Sequence, residues 1–433
     1  MRELLVFIEV NGIKEQVGII SGSSASDAVF SYSDEYLSNE DHSPISLSMP
    51  LREAAFDSIA TRAFFEGLLP EGFTRRSVAE WMHVDESDYL SILAGLGREC
   101  IGAVQVIEGD AELFNPEYRK LSKKDIKELA SEGATESTQM VTESRLSLAG
   151  ASGKVGLYRD ANGKWYLPIG DAPSTHIVKQ SHVRLENIVL NERLVMMTAA
   201  KLGIEVPESF VLNVGEGKDQ DILFTTKRYD RNVMSDRVVD GLTCPYRQHQ
   251  EDFAQALGIQ SANKYEKEGL SHFKSAADLI RFYSANPIED ITRLWNLTVF
   301  NLLIGNTDNH IKNLSLIYSP NMKSLRLAPA YDLISATVYR GTTRNMAFNI
   351  GGKYHLDDIG IKDLEVAAKD IGISAGLAID LMKNMRDLLP KALSETVSEL
   401  TDELGNSTDK NVIEEIKELQ KQILQTGAIR TLR

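Results

Sequence analysis

The sequence predicts an α+β chain of two lobes, strand-rich first and helical after, with an extra small α/β domain in front. Three observations carry this. Short runs rich in β-branched and aromatic residues, parted by Gly, Asn, Asp and Pro, fill the stretch from 145 to about 230. Longer segments with helical apolar stripes follow residue 246. A polar stretch from 109 to 140 parts both from an opening domain. The expected divisions are 1–140 (small α/β domain and connector), 141–245 (strand-rich lobe with hinge) and 246–433 (an all-helical lobe). At 433 residues the chain exceeds what one hydrophobic core usually spans.

The elements follow in order. LLVFIEV and IKEQVGII flank Asn11-Gly12, the strongest short hairpin signal in the chain. The opening domain ends in the strand-like IGAVQVIE (101–108). Ser122-x-x-Asp125 can cap a short helix, and SEGATESTQ (131–139) reads as a mobile connector. KVGLY, KWYLPI, THIVKQ, SFVLNV and DILFTTKRY are strands, interrupted by a helix from Asn191 to Leu202 that Gly203 ends. Helices are expected at 273–285, 289–305, 363–371, 374–389 and 409–424. The last starts at Asp409, a good N-cap, and aligns Val412, Ile413, Ile416, Leu419 and Ile423 on one stripe. A strand-rich half and a helical half imply a cleft between them, where ligands usually sit.

Composition excludes several classes. Apolar residues at 42% and charged residues at 25% are ordinary globular values. A net charge of −15 argues against a broad basic face that holds nucleic acid unaided. Two cysteines, Cys100 and Cys244, make no disulfide framework and suit a reducing cytoplasm. Charges at Arg2, Glu3, Glu9, Lys14 and Glu15 break the opening apolar stretch, so it is neither a signal sequence nor a membrane span. LWNLTVFNLLIG (294–305) is too short to cross a bilayer and reads as a buried helix. A soluble, cytoplasmic protein without membrane contact is expected.

The candidate chemistry centres on TDNHIKN. Phosphoryl transfer to a hydroxyl needs a carboxylate beside that hydroxyl, oxygen ligands for Mg²⁺ and a cation on the phosphates. In protein kinases the catalytic Asp is followed five residues on by a metal-binding Asn, the spacing of Asp308 and Asn313. Alone, that pair reads equally as a turn residue and a loop amide. Its context is an apolar helix before it and, after the apparent hairpin strands LSLIY and SLRLAP, a second acid, Asp332 in LAPAYDLIS. Asn313 and Asp332 offer the amide and carboxylate oxygens that Mg²⁺ accepts.

Upstream, RLSLAGASGKVGLY has Gly150 and Gly153 where backbone N–H groups can face phosphate, although an ordinary hairpin turn reads the same way. It is neither a Walker A loop nor a full G-x-G-x-x-G. Lys179, ending an apolar strand, can neutralise phosphates, and Glu192 on the next helix can pair with it; the plain alternatives are a solvated strand end and a helix-dipole acid. In DILFTTKRYDR (221–231) an extended connector can hydrogen-bond adenine through backbone groups of Lys227 and Tyr229, and Tyr229 reads equally as lobe-interface packing. The eight histidines show no ligand spacing for zinc, and His310 is the one placed to matter.

RLSLAGASGK, STHIVK, TDNHIKN and PAYDLIS, in this order, resemble the HipA toxin kinases of bacterial toxin–antitoxin systems. So do the flanking SPISLSMPL (44–52), FFEGLLPEG (64–72), LGRECIGAV (96–104) and HQEDFAQALG (249–258). The resemblance covers nearly the whole chain. It implies a two-lobed protein-kinase-like fold, ATP and Mg²⁺ as cofactors, and serine phosphorylation on a protein. By it Asp308 is the catalytic base, Asn313 and Asp332 the metal ligands, and Lys179 the ATP lysine. Ala149, Gly150, Ala151, Ser152, Gly153 and Lys154 form the phosphate loop; Lys227, Arg228 and Tyr229 form the hinge. His310, Ile311, Lys312 and Tyr331 complete the nucleotide contacts.

Ser147 matches the serine that the family autophosphorylates, and a phosphate there would push out a loop that must cradle other phosphates. The implied partners are a HipB-like helix-turn-helix antitoxin and, through that complex, operator DNA; the implied target is glutamyl-tRNA synthetase. Two departures stand out: Ser152-Gly153 where the family loop usually reads A-G-A-Q-x-K, and Lys227 where its hinge often has Glu. A small-molecule kinase of similar fold, and a non-catalytic corepressor, are the competing readings.

Overall fold

Asn11 and Gly12 turn the chain with φ of 50° and 78°, the double left-handed geometry of a two-residue hairpin. That turn pairs Val10 with Ile13 and Glu9 with Lys14, and so sets the register of the first sheet. The computed structural model describes residues 2–109, 115–131, 134–144, 148, 153–181, 185–234, 236–405, 408–426 and 432. Two units make up the chain. The first is Met1–Gln180 with Thr225–Ala262 and Leu316–Leu325; the second is Ser181–Phe224 with Asn263–Ser315 and Arg326–Arg433.

In the first unit an antiparallel sheet runs in the order Val29–Tyr32, Ile13–Gly22, Arg2–Val10, Val104–Glu108. Leu4, Val6 and Ile8 alternate into its core, as a half-buried strand requires. Phe30 packs against Phe56 and Phe65, and Phe65 against Phe64, which fastens the helix Ser58–Phe65 to the sheet. A second antiparallel set runs Glu117–Lys120, Trp165–Ile169, Lys154–Arg159, His176–Lys179. Ser122 and Asp125 cap the helix Lys123–Ser131 reciprocally: the Ser122 N–H donates to the Asp125 carboxylate (2.6 Å) and the Asp125 N–H to Ser122 Oγ (3.2 Å). The segment read as a mobile connector is instead largely helical, Ala134–Glu143, with Ser137, Thr138, Met140 and Val141 buried. Its polar composition hides the fact that short hydroxyl side chains can be packed inside.

The four flanking motifs of the sequence meet inside this unit. Glu251 of HQEDFAQALG accepts from Ser46 Oγ (2.5 Å) and the Leu47 N–H (3.0 Å) of SPISLSMPL. Gln255 donates to the Phe64 carbonyl (2.9 Å) of FFEGLLPEG. From LGRECIGAV comes Glu99, the middle of a buried ionic cluster: Arg228 (3.0 Å) and Arg231 (2.9 Å) reach one of its oxygens and Arg247 (2.7 Å) the other. Asp230 takes a second set of bonds from Arg228 (2.7 Å) and Arg231 (3.0 Å), and Glu9 a weaker one from Arg247 (3.4 Å). Gly102, with φ of 76°, donates its N–H to Asp230 (2.7 Å), and a Cβ there would stand 2.8 Å from the Gln250 carbonyl.

The second unit is helical: Ile188–Lys201, His272–Tyr283, Pro287–Ile304, Ile361–Asp370, Ala375–Leu404 and Lys410–Leu424. Asp409 caps the last helix by accepting from the Asn411 N–H (2.9 Å). The lobe expected to be all-helical also carries the hairpin Asn345–Ile350 with Lys353–His355. Phe348 of that hairpin stacks on Phe273 at 5.7 Å between centroids. The helix expected to stop at 389 runs through Pro390 to Leu404. An interior proline costs about 3 kcal/mol. Beyond it Leu393, Val397, Leu400 and Leu404 are buried on the same stripe, each contributing about 1.5–3 kcal/mol, so the continuation wins.

Burial alone would push the Glu99 carboxyl up, but Arg231, Arg247 and Arg228 offset it and hold the carboxyl down at about 2. Its folded pKa lies below the unfolded one, so its stabilisation is present above the ordinary value of 4.5 and fades as pH falls towards about 2. Glu99→Gln should lower the urea unfolding free energy at neutral pH by about 3–5 kcal/mol, the effect of leaving buried guanidiniums unpaired. The gap from wild type should narrow on acidification. A gap that is absent at pH 7, or constant into acid, contradicts this role for the cluster.

Candidate active site

The catalytic-loop candidate begins where the helix Pro287–Ile304 must end. Gly305 adopts φ of 71°; its N–H donates to the Leu302 carbonyl (3.3 Å) and that of Asn306 to the Asn301 carbonyl (2.8 Å), a left-handed helix stop. The remaining carbonyls are capped from another segment. Ser335 Oγ donates to the Ile304 carbonyl (2.6 Å), and the Ala336 and Thr337 N–H groups donate to the Gly305 carbonyl (3.1 and 3.2 Å). A Cβ on Gly305 would lie 2.1 Å from Thr337 Oγ1, so the residue answers to close approach as well as to φ.

The segment that caps the helix is the one that follows Asp332. Tyr331 ties it in a second time: its hydroxyl donates to the Lys312 carbonyl (2.9 Å) and lies 2.6 Å from Ser315 Oγ. On its other side Asn191, from the helix Ile188–Lys201, receives the Ser335 N–H (2.9 Å) and donates to the Ser335 carbonyl (3.0 Å). Asp332 itself has φ of 56°, a left-handed position that Asp tolerates better than most residues and that turns the chain sharply there. Thus Asp308, Asn313, Tyr331 and Asp332 are brought into one hydrogen-bonded assembly.

Within the loop, Asp308 is exposed while Asn306, Thr307, Asn309, His310, Ile311 and Lys312 are buried. Asn306 accepts the Asp308 N–H (3.3 Å), and the Asp308 carbonyl accepts both the His310 N–H (2.8 Å) and Asn313 Nδ2 (2.9 Å). That last bond turns one N–H of the Asn313 amide inward onto the loop backbone. Amide and carboxylate oxygens from Asn313 and Asp332 fit Mg²⁺, which takes few protein ligands and completes its shell with water and phosphate. Among the described residues no group of three or more His, Cys, Asp and Glu forms a metal cluster. Ile311 is fully buried, so its side chain packs into the fold. Glu192 is buried on the helix Ile188–Lys201.

The other sequence-predicted residues belong to the first unit. Lys154 and Lys179 are direct cross-strand partners, both largely buried. Gly153 leaves room for Gln180: a Cβ there would sit 2.2 Å from Gln180 Nε2. Lys227 is exposed. Arg228 is not a ligand-facing side chain, because every guanidinium N–H is taken by Asp230, Glu99, Ser174 and the Cys100 carbonyl. Its N–H donates to the Thr175 carbonyl (2.9 Å), and the Tyr229 hydroxyl is bonded to Gln250. These residues brace the strand end by their side chains. Ser147, Ala149, Gly150, Ala151 and Ser152 lie outside the described residues.

Sequence reasoning missed Tyr265, whose hydroxyl donates to Asp308 Oδ1 at 2.5 Å. No spacing signal marks it, since the helices His272–Tyr283 and Pro287–Ile304 lie between the two partners in sequence.

The class defined by this fold is a mixed helix-and-sheet, kinase-like one. The solved complex of HipA, HipB and operator DNA from Shewanella oneidensis shares it, with a TM-score of 0.80 at 22% identity over 98% of this chain and 96% of that one. The model of the HipA N-terminal domain matches residues 8–107 and that of the HipA-like C-terminal domain residues 146–402; the chain belongs to the HipA family. Y4mE of Sinorhizobium fredii, which carries a kinase name, is 32% identical over 89% of this chain and 90% of its own length. The serine/threonine-protein kinase toxin HipA of Shewanella oneidensis is 25% identical over 82% of this chain and 81% of its own. Among the described residues no helix is long and apolar enough to cross a membrane.

The Ser335 bond to Ile304 is buried and joins the two loops, so Ser335→Ala should cost about 1–3 kcal/mol in chemical denaturation by stranding a carbonyl. An unchanged unfolding midpoint would show that the cap does not hold the loops together.

Proposed function

We propose that this protein is a Mg-ATP-dependent serine/threonine-protein kinase of a toxin–antitoxin pair. The observation that carries the reading is the cross-capping of the Asp308 loop by the segment after Asp332. It supports one assembly holding a carboxylate base and two metal-ligand candidates, the arrangement that phosphoryl transfer to a hydroxyl requires.

In this reading Asp308 accepts the proton of the acceptor serine hydroxyl. The hydroxyl oxygen bonds to the γ-phosphorus, the bond from that phosphorus to its bridging oxygen breaks, and ADP leaves with the electron pair. Asn313 and Asp332 would hold Mg²⁺, whose charge would offset that on the transferring group. Lys154 and Lys179 meet the nucleotide phosphates, with the loop from Ala149 to Gly153; Glu192 orients Lys179, and backbone at Lys227 and Tyr229 meets adenine. Phosphate added to Ser147 would switch the kinase off by repelling the phosphates its loop must cradle.

The partners proposed are a HipB-like helix-turn-helix antitoxin and, through it, operator DNA, in line with the contents of the solved Shewanella complex. A formal net charge of −15 agrees with DNA contact supplied mainly by the antitoxin. Glutamyl-tRNA synthetase is the proposed target, on family resemblance alone.

Mass spectrometry of the purified full-length chain, with and without Mg-ATP, tests this. Phosphate should appear at Ser147 in the wild type and not in Asp308→Asn. Phosphate equal in both proteins, or ATP consumed only with a small alcohol and no labelled protein, would overturn the kinase reading.

A further inference from the structure

The contacts inside the catalytic loop fix the backbone of Asp308: Asn306 receives its N–H, and Asn313 and His310 take its carbonyl. They do not act on its carboxylate, which projects from the exposed position of an otherwise buried stretch. A donor for that carboxylate comes from Tyr265, whose hydroxyl meets Oδ1 at 2.5 Å, the length of a charge-assisted O–H···O bond. The Tyr265 ring stands edge-on to the His310 imidazole, with centroids 5.2 Å apart and planes at 89°, so ring and hydroxyl both engage the loop.

The segment carrying Tyr265 is itself built in. The next residue, Glu266, donates its N–H to the Ala347 carbonyl (2.9 Å). Its carboxylate receives the His272 N–H (2.5 Å), the Asn349 N–H (3.0 Å), Asn349 Nδ2 and the Tyr354 hydroxyl (2.8 Å). A loop side chain hanging free would lose several rotamers' worth of entropy to make one bond. Here the anchor one residue away has already restricted the backbone, and the edge-on contact with His310 restricts the half-exposed ring.

We propose that Tyr265 is a positioning residue for phosphoryl transfer, whose hydroxyl holds the Asp308 carboxylate in the orientation that takes the acceptor hydroxyl's proton. This rests on Asp308 being the base. A Tyr hydroxyl suits the task because it stays protonated at neutral pH and donates without competing for the proton. A phenylalanine keeps the ring on His310 and removes only the donor.

The test is steady-state and single-turnover kinetics on the full chain with Mg-ATP, for wild type, Tyr265→Phe, Asp308→Asn and the double variant. Tyr265→Phe should lower kcat about tenfold, about 1.4 kcal/mol in the barrier, with KM for ATP and the unfolding midpoint unchanged. Adding Tyr265→Phe to Asp308→Asn should cost nothing more, because its effect passes through the carboxylate. Glu266→Gln, which weakens the anchor, should lower kcat in the same sense. An unchanged or raised kcat in Tyr265→Phe overturns the proposal, the raised value marking an autoinhibitory contact. So does a loss that adds fully to that of Asp308→Asn, and so does phosphate found on Tyr265 itself. If Asp308→Asn keeps wild-type kcat, the base assignment fails first; if only Tyr265→Phe is silent, the base stands and the positioning role falls.

Discussion

A helix that stops leaves carbonyls without partners, and the rest of the second unit is arranged around that fact. At the end of Pro287–Ile304 the Ile304 and Gly305 carbonyls are satisfied by Ser335, Ala336 and Thr337, the residues that follow Asp332. Through this cap the base candidate and a metal-ligand candidate, far apart in sequence, share one hydrogen-bonded scaffold. Gly305 is what allows the approach: its φ of 71° suits glycine, and a Cβ would collide with Thr337. Tyr331 repeats the tie at the other end of the loop, and Asn191 braces it from a third element. A mobile carboxylate would spend binding energy on its own ordering. Preorganisation of this kind is how a site gains rate without gaining contacts.

The first unit depends on a different constraint, the satisfaction of buried charge. Glu99, Asp230, Arg228, Arg231 and Arg247 are all nearly or fully removed from solvent, and isolated ions there would be very costly. Their mutual bonds, with those to Ser174, Gly102 and the Cys100 carbonyl, offset that cost and demand one geometry. Such clusters add less net stability than an apolar core of the same size. What they supply here is registry: the strand end carrying Lys227 to Tyr229 is fixed against the segment from LGRECIGAV. The four flanking family-like motifs thus each contribute a buried scaffold contact to this unit.

Local signals were legible in the sequence and long-range ones were not. The Asn11-Gly12 hairpin, the Ser122–Asp125 capping box and the Asp409 cap were readable because each is decided within a few residues. The Asp308 to Asn313 spacing was readable for the same reason, and Asn313 does bond back to Asp308. Tyr265 and Glu266 carry no signal, because their partners, His272 apart, are dozens of residues away and in unrelated elements. The Ala134–Glu143 helix was hidden by its polar residues, and the run through Pro390 by a local rule that distant packing overrides. The partners of the Arg228 side chain are not legible in KRYDR, because Glu99 lies far off in sequence and only the fold brings it alongside.

The account stands or falls on whether this assembly transfers the γ-phosphoryl group. The direct measurement is the rate of ADP formation by the purified full-length chain with Mg-ATP, set beside Asp308→Asn and Asp332→Asn at matched folding. The account predicts a loss of about 10²-fold or more in each variant, the size expected for a general base or a metal ligand. Turnover undiminished in both would contradict it.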